Sequence, residues 1–207
     1  MSDSDQRRHI APSSSRGLAA LRLAAPRPWR RSRLVVEAAV AVVLHGASVA
    51  EAEVLLIRRA SRPGDPWSGH MAFPGGRRSH DDADLMATAV RETREEIGLA
   101  LDPKALLGVL PPVYTVAPVR RALLGRARPM VVRPYVFEHA ERVTPTSSAE
   151  VVATRWAALR DLGAPTARTT RPWRFLGVTW PAPAWDLEGD VVWGLTYQML
   201  RSLLRAI

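Results

Sequence analysis

The spacing of apolar residues divides the chain into strand-like and helix-like stretches. Two runs rich in β-branched residues, Val35 to His45 and Glu53 to Arg59, predict buried strands. The period then changes to that of a helix, predicted over Asp84 to Ile97 and ended by Gly98. Three later runs also predict strands: Gly108 to Tyr114, Met130 to Glu138 and Glu150 to Trp156.

The remaining segments predict loops and one more helix. Turn-forming residues fill Arg62 to Gly69 and continue through Phe73 to Gly76, so both stretches are expected to be loops. Pro172 to Glu188 is rich in tryptophan and proline and is expected to be irregular. Asp190 to Ala206 has apolar residues at helical spacing and predicts a C-terminal helix. Because strands flank both helices, the expected fold is α/β, with a mixed β-sheet between helices.

Composition separates a tail from a globular body. Apolar residues make up 47% of the 207 residues and charged residues 24%, which is enough for one packed domain. Residues 1–33 are rich in Arg, Ser, Ala and Pro and are expected to be a disordered tail, apart from a short helix over Gly17 to Ala25. Residues 34–207 are expected to form a single domain. The tail carries +6 of the net charge of +9, so basicity does not predict a nucleic-acid-binding body.

Two absences narrow the classes of protein. The chain has no cysteine, which excludes disulfides and thiolate metal sites and fits the cytoplasm. No apolar run reaches the roughly 18 residues needed to span a bilayer, so an integral membrane protein is excluded.

The helix over Asp84 to Ile97 carries the candidate chemistry. Met86, Val90 and Ile97 lie on one face of it, and Glu92, Glu95 and Glu96 are expected on the opposite face. Like charges at this spacing repel, and the last turn of a helix disfavours carboxylates. A bound divalent cation would relieve both effects, and oxygen ligands suit Mg²⁺ or Mn²⁺. A solvated acidic face balanced by neighbouring arginines is the alternative.

The sequence around these glutamates resembles the Nudix hydrolases. Residues Arg91 to Leu99 match the second half of the Nudix signature, with Thr93 in an apolar position. The first half departs from it, because Gly76 lies one residue early and Ala83 occupies the acidic position. Either Asp82 or Asp84 then supports Arg91. The resemblance implies a Nudix-type α/β/α sandwich.

A narrower resemblance is to the coenzyme A pyrophosphatase branch of that superfamily. It is carried by Leu55 to Ser61, by Phe73-Pro74-Gly75-Gly76 and by Val192 to Thr196. Ile57 replaces a threonine of the branch, and Arg62 is the nearest substitute for its missing second arginine. The resemblance implies that three residues bind the substrate: Arg59, Arg62 and Gly75.

The same resemblance implies a reaction. Mg²⁺ or Mn²⁺, held by Glu92, Glu95, Glu96 and the Gly76 carbonyl, would neutralise a diphosphate and orient a water for in-line attack. The catalytic group would comprise Glu95 as general base, Glu150 as the second candidate for that role, and Arg91.

The expected function is hydrolysis of coenzyme A or acyl-coenzyme A to a phosphopantetheine and adenosine 3′,5′-bisphosphate. Three alternatives stay open: hydrolysis of another nucleoside diphosphate derivative such as NADH or ADP-ribose, a non-catalytic nucleotide-binding module, and processing of an RNA end tethered by the basic tail. The expected partner is a small nucleotide, with no membrane contact, only weak nucleic-acid contact through the tail, and a homodimer left open. Trp193 and Leu200 are expected in the core.

Overall fold

The computed structural model describes residues 15–29, 31–32, 34–61, 68–115, 128–144, 146, 148–175 and 177–207. The α-helices are α1 (Ser15–Leu18), α2 (Leu85–Ile97), α3 (Leu159–Gly163) and α4 (Gly194–Leu204). Short 3-10 helices span Val49–Glu51, Pro103–Ala105 and Pro165–Ala167. The strands are β1 (Val36–His45), β2 (Glu53–Arg59), β3 (Met71–Ala72), β4 (Gly75–Arg77), β5 (Leu106–Val109), β6 (Val113–Thr115), β7 (Met130–Glu138), β8 (Val151–Ala158), β9 (Arg168–Phe175), β10 (Val178–Leu187) and β11 (Asp190–Trp193).

The larger sheet is mixed and is built around β1. Its strand order is β3-β2-β1-β7-β5, with β4 also pairing β1, β6 pairing β7 and β8 pairing β2. Only the β1–β7 pair is parallel among the described strands, and Ala39 lies opposite Arg133 in it. On the other edge of β1, Gly76 of β4 lies opposite Ala39 and Val54 of β2 lies opposite Leu44. This arrangement confirms the predicted mixed sheet.

Helices cover both faces of that sheet. Alternate side chains of β1 point to opposite faces, as the period of a strand requires. Ala39, Ala41 and Val43 pack with Leu85 and Ile97 of α2, whereas the alternate positions pack with α4. A strand buried on both faces reads as an almost continuous apolar run, which is why the sequence located β1 well. The layers form the expected α/β/α sandwich.

Three predicted elements differ from the structure. The expected loop Phe73 to Gly76 ends in β4, because Gly75 and Gly76 pair with β1. The predicted strand Gly108 to Tyr114 is two strands, β5 and β6, separated by Leu110, Pro111 and Pro112. The predicted C-terminal helix begins only at Gly194, because Asp190–Trp193 forms β11.

The expected irregular segment Pro172 to Glu188 is wrong. It is most of an antiparallel hairpin, β9–β10, which forms a second sheet with β11. Pro172 lies opposite Pro181 and Trp173 opposite Trp180 in this hairpin. Prolines normally mark edges or breaks, so their presence in paired strands masked the pattern.

Residues 15–32 differ from the expected disordered tail wherever the structure describes them. Helix α1 covers only Ser15–Leu18, not the predicted Gly17 to Ala25. Leu18 and Leu21 are buried in the core, and Ala24 forms a β-bridge with Val109. The prediction for residues 1–14 lies outside the described residues. Within the described ranges, no helix combines the length and apolar character needed to cross a membrane.

Candidate functional site

Helix α2 has both ends that its sequence predicts. The Asp84 carboxylate accepts a hydrogen bond from the Ala87 backbone N–H at 2.8 Å and so caps the first turn. Gly98 ends the helix in the left-handed conformation with φ 69°, and its N–H donates to the Arg94 carbonyl. Thr93, the residue in the apolar signature position, is buried and donates its hydroxyl to the Ala89 carbonyl at 2.7 Å. The candidate carboxylates therefore stand on a rigid support.

Asp82, not Asp84, supports Arg91. The Arg91 guanidinium donates Nε to Asp82 Oδ1 and Nη2 to Asp82 Oδ2, each at 2.9 Å. Asp82 Oδ2 also accepts from the Ser79 backbone N–H and from the Thr88 hydroxyl. The hydrogen bond from Arg91 holds the pKa of Asp82 well below its usual range, and the same pair raises the pKa of Arg91. This bidentate pair resolves the choice that the sequence left open.

Arg91 also positions two of the three glutamates. Its Nη1 donates to Glu92 Oε1 and to Glu95 Oε2, each at 2.9 Å. One nitrogen therefore holds both carboxylates on the same side of α2. These contacts offset the repulsion between the two glutamates, which their spacing in the sequence implies.

Glu96 lies apart from that pair, on the inner side of the helix. Its side chain is 5% exposed, against 19% for Glu92 and 59% for Glu95. Glu96 Oε2 accepts from the Gly75 backbone N–H at 2.8 Å, and Arg59 Nη1 lies 4.0 Å from Glu96 Oε1. The prediction that all three glutamates face away from the core is therefore wrong for Glu96.

The predicted apolar stripe is also shifted. Met86 and Val90 are only half-buried, and the fully buried line of α2 runs through Leu85, Ala89 and Ile97. A helical wheel contains no information about the neighbouring backbone. Here β4 packs against α2 where a wheel predicts solvent.

The two glycines of β4 allow that close packing. A Cβ at Gly76 would overlap the Glu92 carboxylate, and a Cβ at Gly75, where φ is 151°, would overlap the backbone of Ala39 and Val40. Glycine at both positions brings the β4 backbone against β1 and against the carboxylates. Gly75 thus contacts Glu96 and Gly76 lies against Glu92.

Burial makes two of these carboxylates resist ionisation. Burial is the largest cause in both cases: it raises the pKa of Glu96 to about 7 and also raises the pKa of Glu92. A buried carboxylate and a half-buried one beside a third form an oxygen-rich donor set that would gain from a hard cation. Within the described residues, no three acidic or histidine side chains converge closely enough to form a metal site as they stand. The three glutamate carboxylates are the kind of oxygen donor that suits Mg²⁺ or Mn²⁺. In this structure their oxygens accept hydrogen bonds from Arg91 and Gly75.

The remaining predicted residues lie around this cluster or outside the described part. Glu150 is exposed at the start of β8, its backbone carbonyl accepts from the Ala60 N–H at 2.8 Å, and its charge contributes to the raised pKa of Glu96. Arg59 lies next to Glu96 at the end of β2. Arg62 falls outside the described residues.

Trp193 is a neighbour of the cluster that sequence reasoning placed in the core. Leu200 is buried as expected, whereas Trp193 is half-buried, with its ring centroid 4.9 Å from that of His70. The Arg171 guanidinium lies 5.0 Å from the Trp193 ring centroid, and Arg59 N–H donates to the His70 carbonyl. The Trp193 indole N–H is buried without a hydrogen-bond partner among the described residues. The signal available in the sequence was the string Val192 to Thr196.

Comparisons with known proteins point to one family. A family profile for the NUDIX domain matches residues 36–176. A human protein named mitochondrial coenzyme A diphosphatase NUDT8 is 41% identical over 103 residues, covering 47% of this chain and 43% of that protein. An uncharacterized Nudix hydrolase NudL from Citrobacter koseri is 41% identical over 63 residues, covering 30% and 32%. The chain thus spans less than half the length of these curated relatives.

A solved structure extends the likeness over most of the fold. The crystal structure of a MutT/nudix family protein from Enterococcus faecalis aligns with a TM-score of 0.51 at 16% identity. The alignment covers 87% of this chain and 63% of that one. At this identity the likeness is one of fold alone.

Proposed function

The chain belongs to the Nudix family, and from that premise we propose that it is a divalent-metal-dependent pyrophosphatase acting on coenzyme A or an acyl derivative. The products would be a phosphopantetheine and adenosine 3′,5′-bisphosphate. The observation that carries the proposal is the carboxylate cluster of Glu92, Glu95 and Glu96, fixed between Arg91 and the Gly75–Gly76 backbone. The proposed site of action is the cytoplasm.

The choice of coenzyme A rests on the sequence and on the relatives. Three segments carry the resemblance to the coenzyme A branch. Leu55 to Ser61 lies in and just after β2, Phe73 to Gly76 follows β3 and enters β4, and Val192 to Thr196 runs from β11 into α4. The structure brings these three segments together, since β3 pairs β2 and the Trp193 ring of β11 meets His70. A human relative carries the name coenzyme A diphosphatase.

In the proposed mechanism, Glu92, Glu95, Glu96 and the Gly76 carbonyl would hold Mg²⁺ or Mn²⁺, which would neutralise the charge of the diphosphate and lower the pKa of the attacking water. Arg91 is a positioning residue, because it holds Glu92 and Glu95 through one nitrogen and is itself fixed by Asp82. Gly75 and Arg59 both contact Glu96, and their proposed role is to bind phosphate oxygens of the substrate. Arg62 stays a proposed third contact.

Glu95 is the proposed general base. It is the most exposed of the three glutamates, so a water can reach its free oxygen. Glu150, exposed and close enough for its charge to act on Glu96, is the second candidate. Loss of the acidic limb of the pH–rate profile in Glu95→Gln, but not in Glu150→Gln, would assign the role to Glu95.

Hydrolysis of coenzyme A by Glu96→Gln tests the proposal. We expect the variant to lose about 10²–10³-fold in kcat at saturating Mg²⁺, because one buried oxygen donor loses its charge. Glu141→Gln is the matched control, since Glu141 is exposed and its side chain makes no contact with the cluster. Adenosine 3′,5′-bisphosphate, separated by chromatography, should appear with wild type and Glu141→Gln only. Unchanged turnover by Glu96→Gln would rule out the proposed metal site.

One observation favours a second class of substrate, another nucleoside diphosphate derivative. Ile57 replaces a threonine of the coenzyme A branch, and Gly64 and Asp65 occupy the place of its second arginine in the sequence. The same assay with NADH and ADP-ribose distinguishes this class, because metal-dependent turnover of either, with coenzyme A untouched, would identify another nucleoside diphosphate derivative. Binding without any turnover would identify a binding module.

A further inference from the structure

A cavity on the far edge of the larger sheet contains none of the residues proposed for hydrolysis. It has a volume of about 670 Å³ and lies between the N-terminal segment, the residues after β5 and the end of α4. Its apolar lining comes from residues 23–25, 109–112 and Ala206. The volume falls within the range of small-molecule sites in proteins.

All titratable side chains that line this cavity are arginines. They are Arg22, Arg27, Arg133 and Arg205. None of the four forms an ion pair within the part of the chain that the structure describes. The cavity lining therefore holds four arginines and no side-chain carboxylate.

Arg133 shows that this charge is built into the fold rather than placed on the surface. It belongs to β7 and is only 7% exposed. Its Nη1 donates one hydrogen bond, to the Arg27 carbonyl at 3.1 Å, and its guanidinium carbon lies 5.3 Å from the Trp29 ring centroid and 5.8 Å from that of Tyr135. Aromatic faces stabilise a cation partly, but a buried charge without a counter-ion remains costly.

The carboxylate that shares Trp29 with Arg133 is already engaged. Glu37, which accepts from the Trp29 indole N–H at 3.1 Å, also accepts from the Ser32 backbone N–H and pairs with Arg78 at 3.2 Å. It does not line the cavity. No side chain of the cavity lining supplies a counter-charge to Arg133, which leaves that role open to solvent or a ligand.

We propose that this cavity is a second ligand site that binds a phosphate ester carried on an apolar or aromatic body. Planar guanidinium groups match phosphate oxygens in bidentate geometry, and several of them suit a doubly charged group better than a carboxylate. The apolar lining and Trp29 provide contact area for the body of the ligand. The site is separate from the glutamate cluster and does not depend on the proposed hydrolysis.

Equilibrium binding to the full chain, with divalent metal removed by chelation, tests this site. The probes are adenosine monophosphate, phenyl phosphate, inorganic phosphate and benzoate, followed by calorimetry and by tryptophan fluorescence. We expect saturable binding of the first two, at least about tenfold weaker binding of inorganic phosphate, and still weaker binding of benzoate. Arg133→Met should weaken the binding of adenosine monophosphate about tenfold or more.

Further variants keep the test decisive if Arg133→Met folds poorly. Arg205→Gln changes an exposed cavity residue and should weaken binding about threefold to tenfold. Arg201→Gln, one turn earlier on α4 and outside the cavity, should leave binding unchanged. Glu96→Gln should also bind normally, which separates this site from the glutamate cluster.

Three outcomes would overturn the proposal. The first is no saturable binding of any phosphate probe up to about 10 mM. The second is binding that is insensitive to Arg133→Met and Arg205→Gln, which would place the probe elsewhere. The third is benzoate binding as tightly as phenyl phosphate, which would show that the site does not select phosphate.

Discussion

At the scale of single residues, the Asp82–Arg91 pair connects stability with the candidate site. Asp82 is buried and uses both oxygens to bind Arg91, a backbone N–H and a hydroxyl. Arg91 in turn holds two glutamates. A change at Asp82 is therefore expected to loosen the cluster without touching any substrate.

Asp82→Asn should destabilise the protein in a pH-dependent way. The pKa of Asp82 lies below its ordinary value near 3.8, so its ionised form contributes stability that is present above about pH 4 and lost as the pH falls further. We expect the variant to lose about 2–4 kcal/mol of unfolding free energy near neutral pH. Urea unfolding of both proteins, from about pH 7 down to about pH 3, should show the difference narrowing with acid.

Asp81→Asn is the control for that experiment, because Asp81 is almost fully exposed one residue away. Its unfolding free energy should stay within about 0.5 kcal/mol of wild type. A loss in Asp82→Asn that is the same at every pH would mean that packing, and not the charge of Asp82, is responsible.

At the scale of elements, the second sheet is attached to the first by a small ionic group. Asp190, at the start of β11, pairs with Arg58 of β2 and with Arg155 of β8, and Arg155 Nη1 also donates to the Leu187 carbonyl at 2.7 Å. The Asp190 side chain is largely buried, so this group is less screened than the ion pairs on the surface. It fixes the sheet that carries Trp193.

Asp190→Asn should loosen this attachment. We expect a loss of about 1–3 kcal/mol, because two arginines lose their shared partner. Relative to wild type, backbone hydrogen exchange should accelerate more in β9–β11 than in β1 and β7. The matched control is Asp161→Asn, which breaks an exposed pair with Arg160 and should cost no more than about 0.5 kcal/mol. Uniform acceleration across both sheets would contradict a local role.

At the scale of the whole molecule, the N-terminal segment belongs to the packed structure. Leu18 is fully buried and Leu21 nearly so, in the core cluster that includes α4. The Arg22 N–H donates to the Ala206 carbonyl at 2.8 Å, which joins the two ends of the described chain. Arg22 and Arg27, which the sequence assigned to a tail, therefore line the arginine-rich cavity.

Removal of residues 1–33 should therefore destabilise the protein. A chain beginning at Leu34 loses two buried leucines, each worth about 1.5–3 kcal/mol. A chain beginning at Ser15 keeps both and should match the wild type. Thermal unfolding of the three proteins makes the comparison, and equal stability of all three would contradict the packing of this segment.

Much of the candidate site was predictable because it depends on local patterns. The extent of α2 with its end at Gly98, and the strands β1, β2 and β7, follow from periodicity and turn chemistry. The position of the glutamates on one helix is likewise a matter of spacing. The family resemblance extended these local patterns to a sandwich, which the structure confirms.

The hairpin β9–β10 and the burial of Glu96 were not predictable in this way. Both depend on pairing with a distant segment: β9 becomes regular only against β10, and Glu96 is covered only because β4 packs against α2. The secondary-structure propensity of a residue does not depend on either of these distant contacts. Proline in β9 and β10 even argued against the correct result.

The sequence by itself determined the family and the signature helix with its three glutamates, because these depend on residue type and spacing. Only the tertiary structure decided that Asp82 supports Arg91, that Glu96 is buried against Gly75, and that Arg133 faces a cavity without a carboxylate. The physical reason is that desolvation and pairing depend on which distant groups fold beside a charge. Spacing along the chain does not contain that information.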